Sequence, residues 1–347
     1  MKDGKKLRVL IVDDSPLLRE ILARGIGSDP DLEVVARAGD AYEARDKIIA
    51  FRPDVMTCDI QMPKMNGIEF IRQLIPQYAL PVIVVSSVSD LVFDAMNAGA
   101  VDFVTKSSFS TKEGRDDFME DLRHKIKIAA KAKVGKDTNL QARQNAGLSM
   151  PAVNANRVIA IGASTGGTEA IFTVLKGLPL GIPGIVIVQH IPPVFSTMFA
   201  ERMNNNLDLS IKEAKNGDFV EPNQVLLAPG GMHMQLRKLG AKYKVEVAPG
   251  DKVNGHCPSV DVLFNSVAKA VGDNAIGVIL TGMGGDGGKG LLEMRRNGAR
   301  TLGQNEKSSV VYGMPKVAYS LGAVERQVDL SAMSSAIMQV LKETPKK

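Results

Sequence analysis

Three short segments of the sequence end in side chains that could together hydrolyse an ester or an amide. The segment VIAIGASTGG (Val158–Gly167) runs from apolar residues into a glycine-rich turn that contains Ser164. His190 ends the apolar segment GIVIVQH, and Asp286 follows the segment ILTGMGG. A serine hydroxyl is a weak nucleophile without a neighbouring base, and a histidine base needs an acceptor that orients its ring. These residues therefore predict a catalytic triad of Ser164, His190 and Asp286.

The turn around Ser164 could instead bind a phosphate, as some glycine-rich turns do. The spacing G-x-G-x-x-G fails because Ser164 takes the place of the second glycine, and G-x-x-x-x-G-K-[ST] fails because Glu169, rather than a lysine, lies nearby. The segment Gly162–Gly166 instead matches G-x-S-x-G, in which a strained strand-to-helix turn exposes a serine. We predict such a nucleophile turn, although this pattern by itself also fits an ordinary glycine-rich turn.

The order of the three residues along the chain differs from that of the α/β-hydrolases. The α/β-hydrolases carry Ser, Asp and His in that order, so the order Ser, His, Asp indicates a convergent arrangement.

The predicted oxyanion donors are two backbone N–H groups, those of Thr165, at a predicted helix start, and of Met283, in a glycine-rich loop. His233 and His256 lie in loops that could line the same cleft, whereas His124 lies in a charged helix and is interpreted as solvated.

A second set of polar residues predicts a phosphorylation site. Asp13 and Asp14 follow one apolar segment, and Asp59 follows another. Three carboxylates at one sheet edge repel one another unless a cation joins them, and Mg²⁺ prefers such oxygen ligands. Ser86 and Lys106 end two further apolar segments and add a hydroxyl and a cation to the same edge. This set could hold a phosphoryl group on Asp59, with Mg²⁺, Lys106 and Ser86 stabilising its oxygens.

Each of the two sets of residues requires its own group of parallel strands, whose carboxyl ends meet at one edge of a sheet. In the first third of the chain, short aliphatic segments alternate with amphipathic ones, which predicts one doubly wound α/β domain. The predicted strands are Leu7–Val12, Val34–Ala38, DVMTCD, PVIVVSS and VDFVTK, and the predicted helices are Ser15–Gly25, Ala41–Ala50, one from Gly67 and Lys112–Ala132.

A second α/β domain is predicted after a change in composition, with no sequence repeat relating the two. Its predicted strands are VIAIG, Gly184–Gln189, Val225–Pro229, Ile276–Gly282 and Ala299–Asn305, and its predicted helices are Thr168–Lys176, Ser196–Asn204, Val260–Ala270 and Gly288–Asn297. The segment between the domains is rich in Lys, Asn, Gln, Ala and Gly, which indicates an exposed linker. The predicted organisation is domain 1–130, linker 131–156 and domain 157–347.

The composition excludes several classes of protein. The formal net charge of +5 is modest and the basic residues are interspersed with acidic ones, so binding of nucleic acid is not predicted. No segment approaches the roughly 18 apolar residues of a membrane span, so membrane insertion is not predicted. The two cysteines are far apart and lack metal-ligand spacing, as expected for reduced residues. With no signal-peptide pattern at the N-terminus, a cytoplasmic protein is expected.

Residues from about 7 to 125 resemble a two-component receiver domain, with a flavodoxin-like doubly wound parallel sheet. The resemblance implies that Asp13 and Asp14 are the acidic pair of the family and that Asp59 is the phosphoacceptor. It also implies that Ser86 is the switch residue and that Lys106 is the lysine of the family pattern. The MPKMNG segment after Asp59 is also typical. The predicted Mg²⁺ ligands are Asp13, Asp14, Asp59 and Gln61. The family usually has Pro after the lysine, where this sequence has Ser107.

The second domain resembles the catalytic domain of the chemotaxis protein-glutamate methylesterases, the CheB family. The segments that carry the resemblance are IGASTGGTEAI, QHIPPVFSTMFAERMN, HCPSVDVLF, ILTGMGGDG and GQNEKSSVVYGMP. The resemblance implies that Ser164 is the nucleophile, His190 the base and Asp286 the residue that orients it. It also implies hydrolysis of glutamyl γ-methyl esters and deamidation of glutamines on chemoreceptors, without a cofactor for the esterase chemistry.

The same resemblance implies how the activity is controlled. The unphosphorylated receiver is expected to cover the catalytic cleft, and phosphorylation of Asp59 by the chemotaxis histidine kinase CheA is expected to relieve this. A monomer is expected. Three alternatives remain: a transcriptional regulator, which would need a helix-turn-helix output domain; a nucleotide-binding or dehydrogenase output domain, weakened by the failed glycine spacings; and an inactive hydrolase fold that only binds receptors.

Overall fold

The computed structural model describes residues 6–87, 91–106, 111–132, 134 and 157–343. The chain divides into two compact units, Met1–Thr138 and Asn139–Lys347, and each is described by itself. Most of the predicted linker 131–156, and Ser107, lie outside the described residues. The predicted domain limits therefore stay a prediction.

The first unit is a parallel five-stranded sheet with helices between its strands. Its strands are Leu7–Val12 (β1), Leu32–Ala38 (β2), Val55–Cys58 (β3), Val82–Ser86 (β4) and Asp102–Thr105 (β5), and its helices are Pro16–Gly27 (α1), Ala41–Phe51 (α2), Gly67–Leu74 (α3), Val92–Asn97 (α4) and Lys112–Ala129 (α5). The strand order is β2-β1-β3-β4-β5, and every pair is parallel. The predicted doubly wound architecture is confirmed.

Capping residues set where several of these helices begin. The Ser15 side chain accepts a hydrogen bond from the Leu18 N–H, and Pro16 occupies the first helical position of α1, where its missing N–H costs nothing. Asp40 caps α2 and Asn66 caps α3 in the same way. The strand-to-helix turns that carry the acidic residues are therefore fixed by local sequence.

The second unit contains a parallel seven-stranded sheet and a separate antiparallel hairpin. Its strands are Val158–Ala163 (β6), Gly184–Gln189 (β7), Ser210–Glu213 (β8), Gln224–Leu227 (β9), His233–Leu239 (β10), Lys242–Ala248 (β11), Ala275–Ile279 (β12), Arg300–Gln304 (β13) and Arg326–Val328 (β14). Its helices are Gly167–Lys176 (α6), Phe195–Asn206 (α7), Val260–Val271 (α8), Gly288–Arg296 (α9), Met314–Ser320 (α10) and Leu330–Lys342 (α11). The sheet order is β14-β13-β12-β6-β7-β9-β8, and β10 pairs with β11.

The sequence prediction found the five central strands of this sheet and missed the peripheral elements. The edge strands β8 and β14 span four and three residues, too short to form a periodic pattern. The hairpin β10–β11 carries exposed charged residues on one side, and α10 and α11 follow the last predicted strand. Among the helices of the described residues, none combines the length and apolar character needed to cross a membrane.

A buried arginine joins the first strand of the second unit to its last helix. Arg157, immediately before β6, donates hydrogen bonds from Nη1 to the carbonyls of Val340 (3.2 Å) and Leu341 (3.0 Å), in the last turn of α11. It also donates to the carbonyl of Glu343 at 3.3 Å. Carbonyls at a helix C-terminus lack intrahelical donors, so a cation there is favourable. The beginning of β6 and the end of α11 therefore lie side by side.

Candidate active site

The carboxyl ends of two adjacent central strands place Ser164 beside His190. In the β6–β7 pair, Ala163 lies opposite Gln189, so the next residue of each strand falls at the same edge. The Ser164 N–H donates to the carbonyl of Thr281 at 3.0 Å, and the His190 N–H donates to the carbonyl of Ala163 at 3.1 Å. Ser164 is half-buried, as a nucleophile open to substrate needs to be.

A buried amide ties the two strand ends together. The Gln189 side chain is 3 % exposed, and its Nε2 donates to the carbonyls of Ser164 (2.9 Å) and His190 (3.0 Å). A Cβ at Gly167 would lie 2.1 Å from Gln189 Oε1, so only glycine leaves room for this amide. The sequence analysis did not identify Gln189; the one signal was a polar residue at the end of an otherwise apolar strand.

The glycine-rich turn after Ser164 leads directly into helix α6. Gly166 has φ +74°, a left-handed conformation that favours glycine, and α6 begins at the next residue. Thr165 is buried at this helix start, a position whose backbone N–H groups favour the binding of an anion. The placement agrees with the predicted oxyanion donor, whose role remains a prediction.

A second loop passes directly against the serine. A Cβ at Gly282 would lie 2.7 Å from Ser164 Cβ and 3.0 Å from Ser164 N, and this close approach brings the following residue, Met283, to the site. Within the described residues, the Met283 N–H donates to no acceptor. It is therefore available as the second oxyanion donor that the sequence predicted.

We expect Gly282→Ala to reduce the hydrolytic rate about 10²-fold. The added methyl group must displace the backbone of Ser164 or of the loop, and loss of one oxyanion donor typically costs about 10²–10³ in rate. Initial rates of product release would measure this. The matched control is Gly27→Ala, where no atom lies within 4 Å of the added Cβ. A wild-type rate for Gly282→Ala would show that the close approach is not needed.

Asp286 lies between β12 and α9, buried against the N-terminus of α8. Its Oδ2 accepts from His190 Nε2 at 2.8 Å and from the Val260 N–H at 2.7 Å. Its Oδ1 accepts from Ser259 Oγ at 2.7 Å and from Asn254 Nδ2 at 2.8 Å. A carboxylate at a helix N-terminus is stabilised by the unpaired N–H groups and the helix dipole.

The hydrogen bonds that Asp286 accepts decide which ring nitrogen of His190 is the donor. Burial alone would raise the pKa of Asp286, but hydrogen bonds from His190, Asn254 and Ser259 outweigh it and hold the pKa well below its usual range. An ionised carboxylate only accepts hydrogen bonds, so His190 Nε2 carries the proton. His190 Nδ1 is buried and has no hydrogen-bond partner among the described residues, which leaves its lone pair available as a base.

The structure thus brings the three predicted residues to one sheet edge and adds a detail that the sequence did not specify. In chymotrypsin the carboxylate holds Nδ1 and Nε2 acts as the base. Here the carboxylate holds Nε2, so the two ring nitrogens exchange roles. The arrangement can deprotonate a hydroxyl through Nδ1 and stabilise the resulting imidazolium through Asp286.

The other three histidines fall in different places. The His256 ring stacks on the His190 ring, with centroids 3.6 Å apart and planes at 11°. His233 is buried, with Nε2 bonded to the Asp251 carbonyl at 2.8 Å and Nδ1 accepting from the Ser259 N–H at 3.2 Å. Its two nitrogens are therefore engaged by backbone groups, as in a structural residue. His124 is exposed on α5, as predicted.

Four residues of the predicted phosphorylation site come together at the carboxyl edge of the first sheet. Asp13, Asp14 and Asp59 each offer a carboxylate oxygen, and these atoms lie within 4.8 Å of one another. Lys106 Nζ lies 2.9 Å from both Asp13 Oδ2 and Asp59 Oδ2. An all-oxygen cluster of this kind fits Mg²⁺, which prefers carboxylate ligands.

Asp59 is buried, and Ser86 lies near it in the sheet and Gln61 near it in the chain. The pKa of Asp59 is raised, because the effect of burial outweighs that of its hydrogen bond with Lys106. Ser86 is buried at the end of β4 and lies opposite Thr105, the residue before Lys106. Gln61 is exposed two residues beyond Asp59, and its place among the metal ligands stays a prediction.

Two family models match the two units. Residues 159–337 match the model described as CheB methylesterase, and residues 9–114 match the model described as response regulator receiver domain. The first covers every residue placed at the Ser164 site, and the second covers every residue placed at the Asp59 site.

Relatives and one solved structure agree with these matches. The chain is 53% identical over 339 residues to a protein-glutamate methylesterase/protein-glutamine glutaminase 2 of Syntrophomonas wolfei, with 98% of this chain and 99% of that protein covered. It is 46% identical to the protein-glutamate methylesterase/protein-glutamine glutaminase of Salmonella typhi, with 96% of each covered. A crystal structure of the Thermotoga maritima CheB methylesterase catalytic domain matches with TM-score 0.52 and 32% identity, covering 53% of this chain and 98% of that one.

Proposed function

This chain belongs to the CheB methylesterase family, and from that premise we propose that it removes methyl groups from glutamyl γ-methyl esters of chemoreceptors and deamidates receptor glutamines. Ser164, His190 and Asp286 carry the chemistry in this proposal. The observation that supports it most is the state of His190, whose Nε2 is bonded to a buried ionised carboxylate while Nδ1 is unpartnered among the described residues.

The first half of the reaction forms an acyl-enzyme. His190 Nδ1 takes the proton of Ser164 Oγ as the oxygen attacks the γ-carbonyl carbon of the substrate. The N–H groups of Thr165 and Met283 donate to the oxyanion, and Asp286 stabilises the imidazolium. The imidazolium then gives its proton to the leaving oxygen, so that methanol departs and Ser164 carries the glutamyl acyl group.

Water completes the reaction by the same route. His190 takes a proton from water, which attacks the acyl carbon, and the proton passes to Ser164 Oγ as the C–O bond breaks. A free glutamate side chain is released. A glutamine substrate follows these steps with ammonia in place of methanol as the leaving group.

Methanol release from methylated receptor membranes tests this proposal. The full chain, treated with a small acyl phosphate as phosphodonor, is expected to release methanol in proportion to the methyl ester content of the membranes. Unmethylated membranes serve as the control. Folded protein that binds the membranes without releasing methanol or ammonia would instead support a receptor-binding module.

The receiver is proposed to regulate this activity. Asp59 accepts a phosphoryl group from the histidine kinase CheA, and Asp13, Asp14 and Asp59 would hold the Mg²⁺ that this step requires. When bound, Mg²⁺ neutralises charge on the phosphoryl oxygens. Lys106 contacts the same oxygens, and Ser86 turns toward the phosphoryl group, which carries up to about two negative charges. The change in the receiver then relieves its inhibition of hydrolysis.

We expect Asp59→Asn to abolish stimulation of methanol release by a phosphodonor. An amide cannot accept the phosphoryl group, so the ratio of stimulated to unstimulated rates should fall to about 1. Initial rates with and without acyl phosphate and Mg²⁺ would measure this ratio. Asp46→Asn, at an exposed carboxylate on α2, is the matched control and should keep the stimulation. Stimulation that survives in Asp59→Asn would place phosphorylation elsewhere.

A further inference from the structure

A short exposed turn contacts both members of the histidine–carboxylate pair. Val253–His256 forms a tight turn between β11 and α8, in which the N–H of each end residue donates to the carbonyl of the other at 3.0 Å. Its two central residues are Asn254 (φ +53°) and Gly255 (φ +85°), the sequence that favours a two-residue turn with both φ angles positive. We call these four residues the VNGH turn.

The first contact links the VNGH turn to the carboxylate. Asn254 Nδ2 donates to Asp286 Oδ1 and to Asp261 Oδ2, both at 2.8 Å. Both carboxyl groups are buried. The two hydrogens of one amide nitrogen therefore bridge two neighbouring acids, and one of these is the acceptor that orients His190. The exposed turn reaches into the site through this amide.

The second contact links the VNGH turn to the base. The face of His256 lies on the face of His190, nearly parallel and 3.6 Å between centroids. The ring of His190 makes one hydrogen bond, from Nε2 to Asp286, and its Nδ1 has no partner among the described residues. A single hydrogen bond fixes one end of an imidazole but leaves the ring free to rotate about that bond. The stacked ring limits this rotation.

We infer that the VNGH turn positions the catalytic pair: His256 fixes the plane of the His190 ring by stacking, and Asn254 holds Asp286 in place. Both are positioning residues, since they act through His190 and Asp286. The inference deepens the proposed function and rests on it for its kinetic readout. Positioning matters at this level because a displacement of about 1 Å can cost about 10² in rate.

Two substitutions at one position separate stacking from chemistry. His256→Phe keeps a flat ring without nitrogen atoms, whereas His256→Ala removes the ring. We expect His256→Ala to lower kcat about 10–100-fold with KM unchanged, and His256→Phe to stay within about 3-fold of wild type. The matched control is His124→Ala, which makes the same change at an exposed position of the other unit.

A spectroscopic readout makes the test independent of the substrate. The chain has four histidines, so ¹⁵N-labelled imidazole signals can be assigned by single substitutions. In the wild type and in His256→Phe, His190 is expected in one Nε2–H tautomer. In His256→Ala its signals should broaden, because the ring exchanges between orientations about its hydrogen bond with Asp286. If His256→Ala shows this change while the wild type releases no methanol, the positioning is supported and the proposed function is defeated.

The turn offers a second variant in case His256→Ala does not fold. Asn254→Gly keeps the positive φ of the turn, since Gly-Gly also favours this geometry, and removes only the amide. It is expected to lower kcat about 10-fold with KM unchanged. The inference is overturned if His256→Ala keeps the wild-type kcat and the wild-type His190 line widths. It is also overturned if His256→Phe is as slow as His256→Ala, which would assign chemistry to a His256 nitrogen. Wild-type kcat in Asn254→Gly would overturn the part that concerns Asn254.

Discussion

Ser164→Ala is expected to release methanol from methylated receptor membranes at least about 10⁴-fold more slowly than the phosphorylated wild type. The substitution removes the only atom that forms the acyl-enzyme, and loss of a nucleophile in a comparable triad costs about 10⁶ in kcat. Binding groups and oxyanion donors remain, so the residual rate should exceed that in water alone. Stability should change little, because Ser164 is half-buried and alanine fits the same turn.

Two controls make this result specific to Ser164. Ser320→Ala makes the same change at an exposed residue near the end of α10 and should keep the wild-type rate. Binding of the Ser164→Ala variant to methylated membranes should be retained, since only the attacking oxygen is lost. A variant that still releases methanol at the wild-type rate would remove Ser164 from the mechanism.

Asp286→Asn has the second largest expected effect, a fall in kcat of about 10³–10⁴-fold. The amide cannot accept every hydrogen bond that the carboxylate accepts, and its NH₂ group favours the His190 tautomer that carries the proton on Nδ1. That tautomer presents a donor to Ser164 in place of a base. Steady-state kinetics and the imidazole ¹⁵N signals of His190 would measure the rate and the tautomer together.

The same substitution should also lower stability, which separates it from Ser164→Ala. Asp286 accepts the N–H groups of Val260 (2.7 Å) and Asp261 (3.2 Å) at the start of α8, and a buried charge-assisted hydrogen bond contributes about 2 kcal/mol. We expect a loss of about 2 kcal/mol in the free energy of unfolding, measured by urea denaturation. Asp208→Asn, at an exposed carboxylate of the same unit, is the control. Unchanged stability and rate would contradict the central place given to Asp286.

The pH dependence of this stability difference has a definite sign. Hydrogen bonds outweigh burial and hold the pKa of Asp286 below its usual value in the folded protein. The ionised form therefore stabilises the fold fully above the ordinary aspartate pKa of about 3.9, and this contribution is lost as the pH falls through the lowered pKa. The wild type and Asp286→Asn should differ by a constant amount from neutral pH to about pH 5 and converge only in stronger acid.

The sequence predicted the positions of the candidate triad because each residue follows a fully buried strand. The prediction of β7 as Gly184–Gln189 agrees with the structure to the residue, and six buried residues in succession leave little choice of register. Parallel strands then bring Ser164 and His190 to the same edge, since their order in the sheet follows from short right-handed connections. Composition and periodicity alone thus predicted the fold class and the edge.

The roles of the two His190 ring nitrogens could not be predicted from strand patterns. They depend on the side from which Asp286 approaches, and that side is set by the packing of α8 against the loop after β12. The segment with Asn254 and His256 is likewise joined to the site only in three dimensions, some sixty residues beyond His190 in the sequence. Local patterns carry no information about such contacts.

The pairing of Arg157 with the last turn of α11 has a consequence for how such a unit is combined with others. Because its first strand begins where its last helix ends, a segment joined to either of these two ends is attached at one point of its surface. A module built in this way can be gained, exchanged or fused during evolution without disturbing its interior.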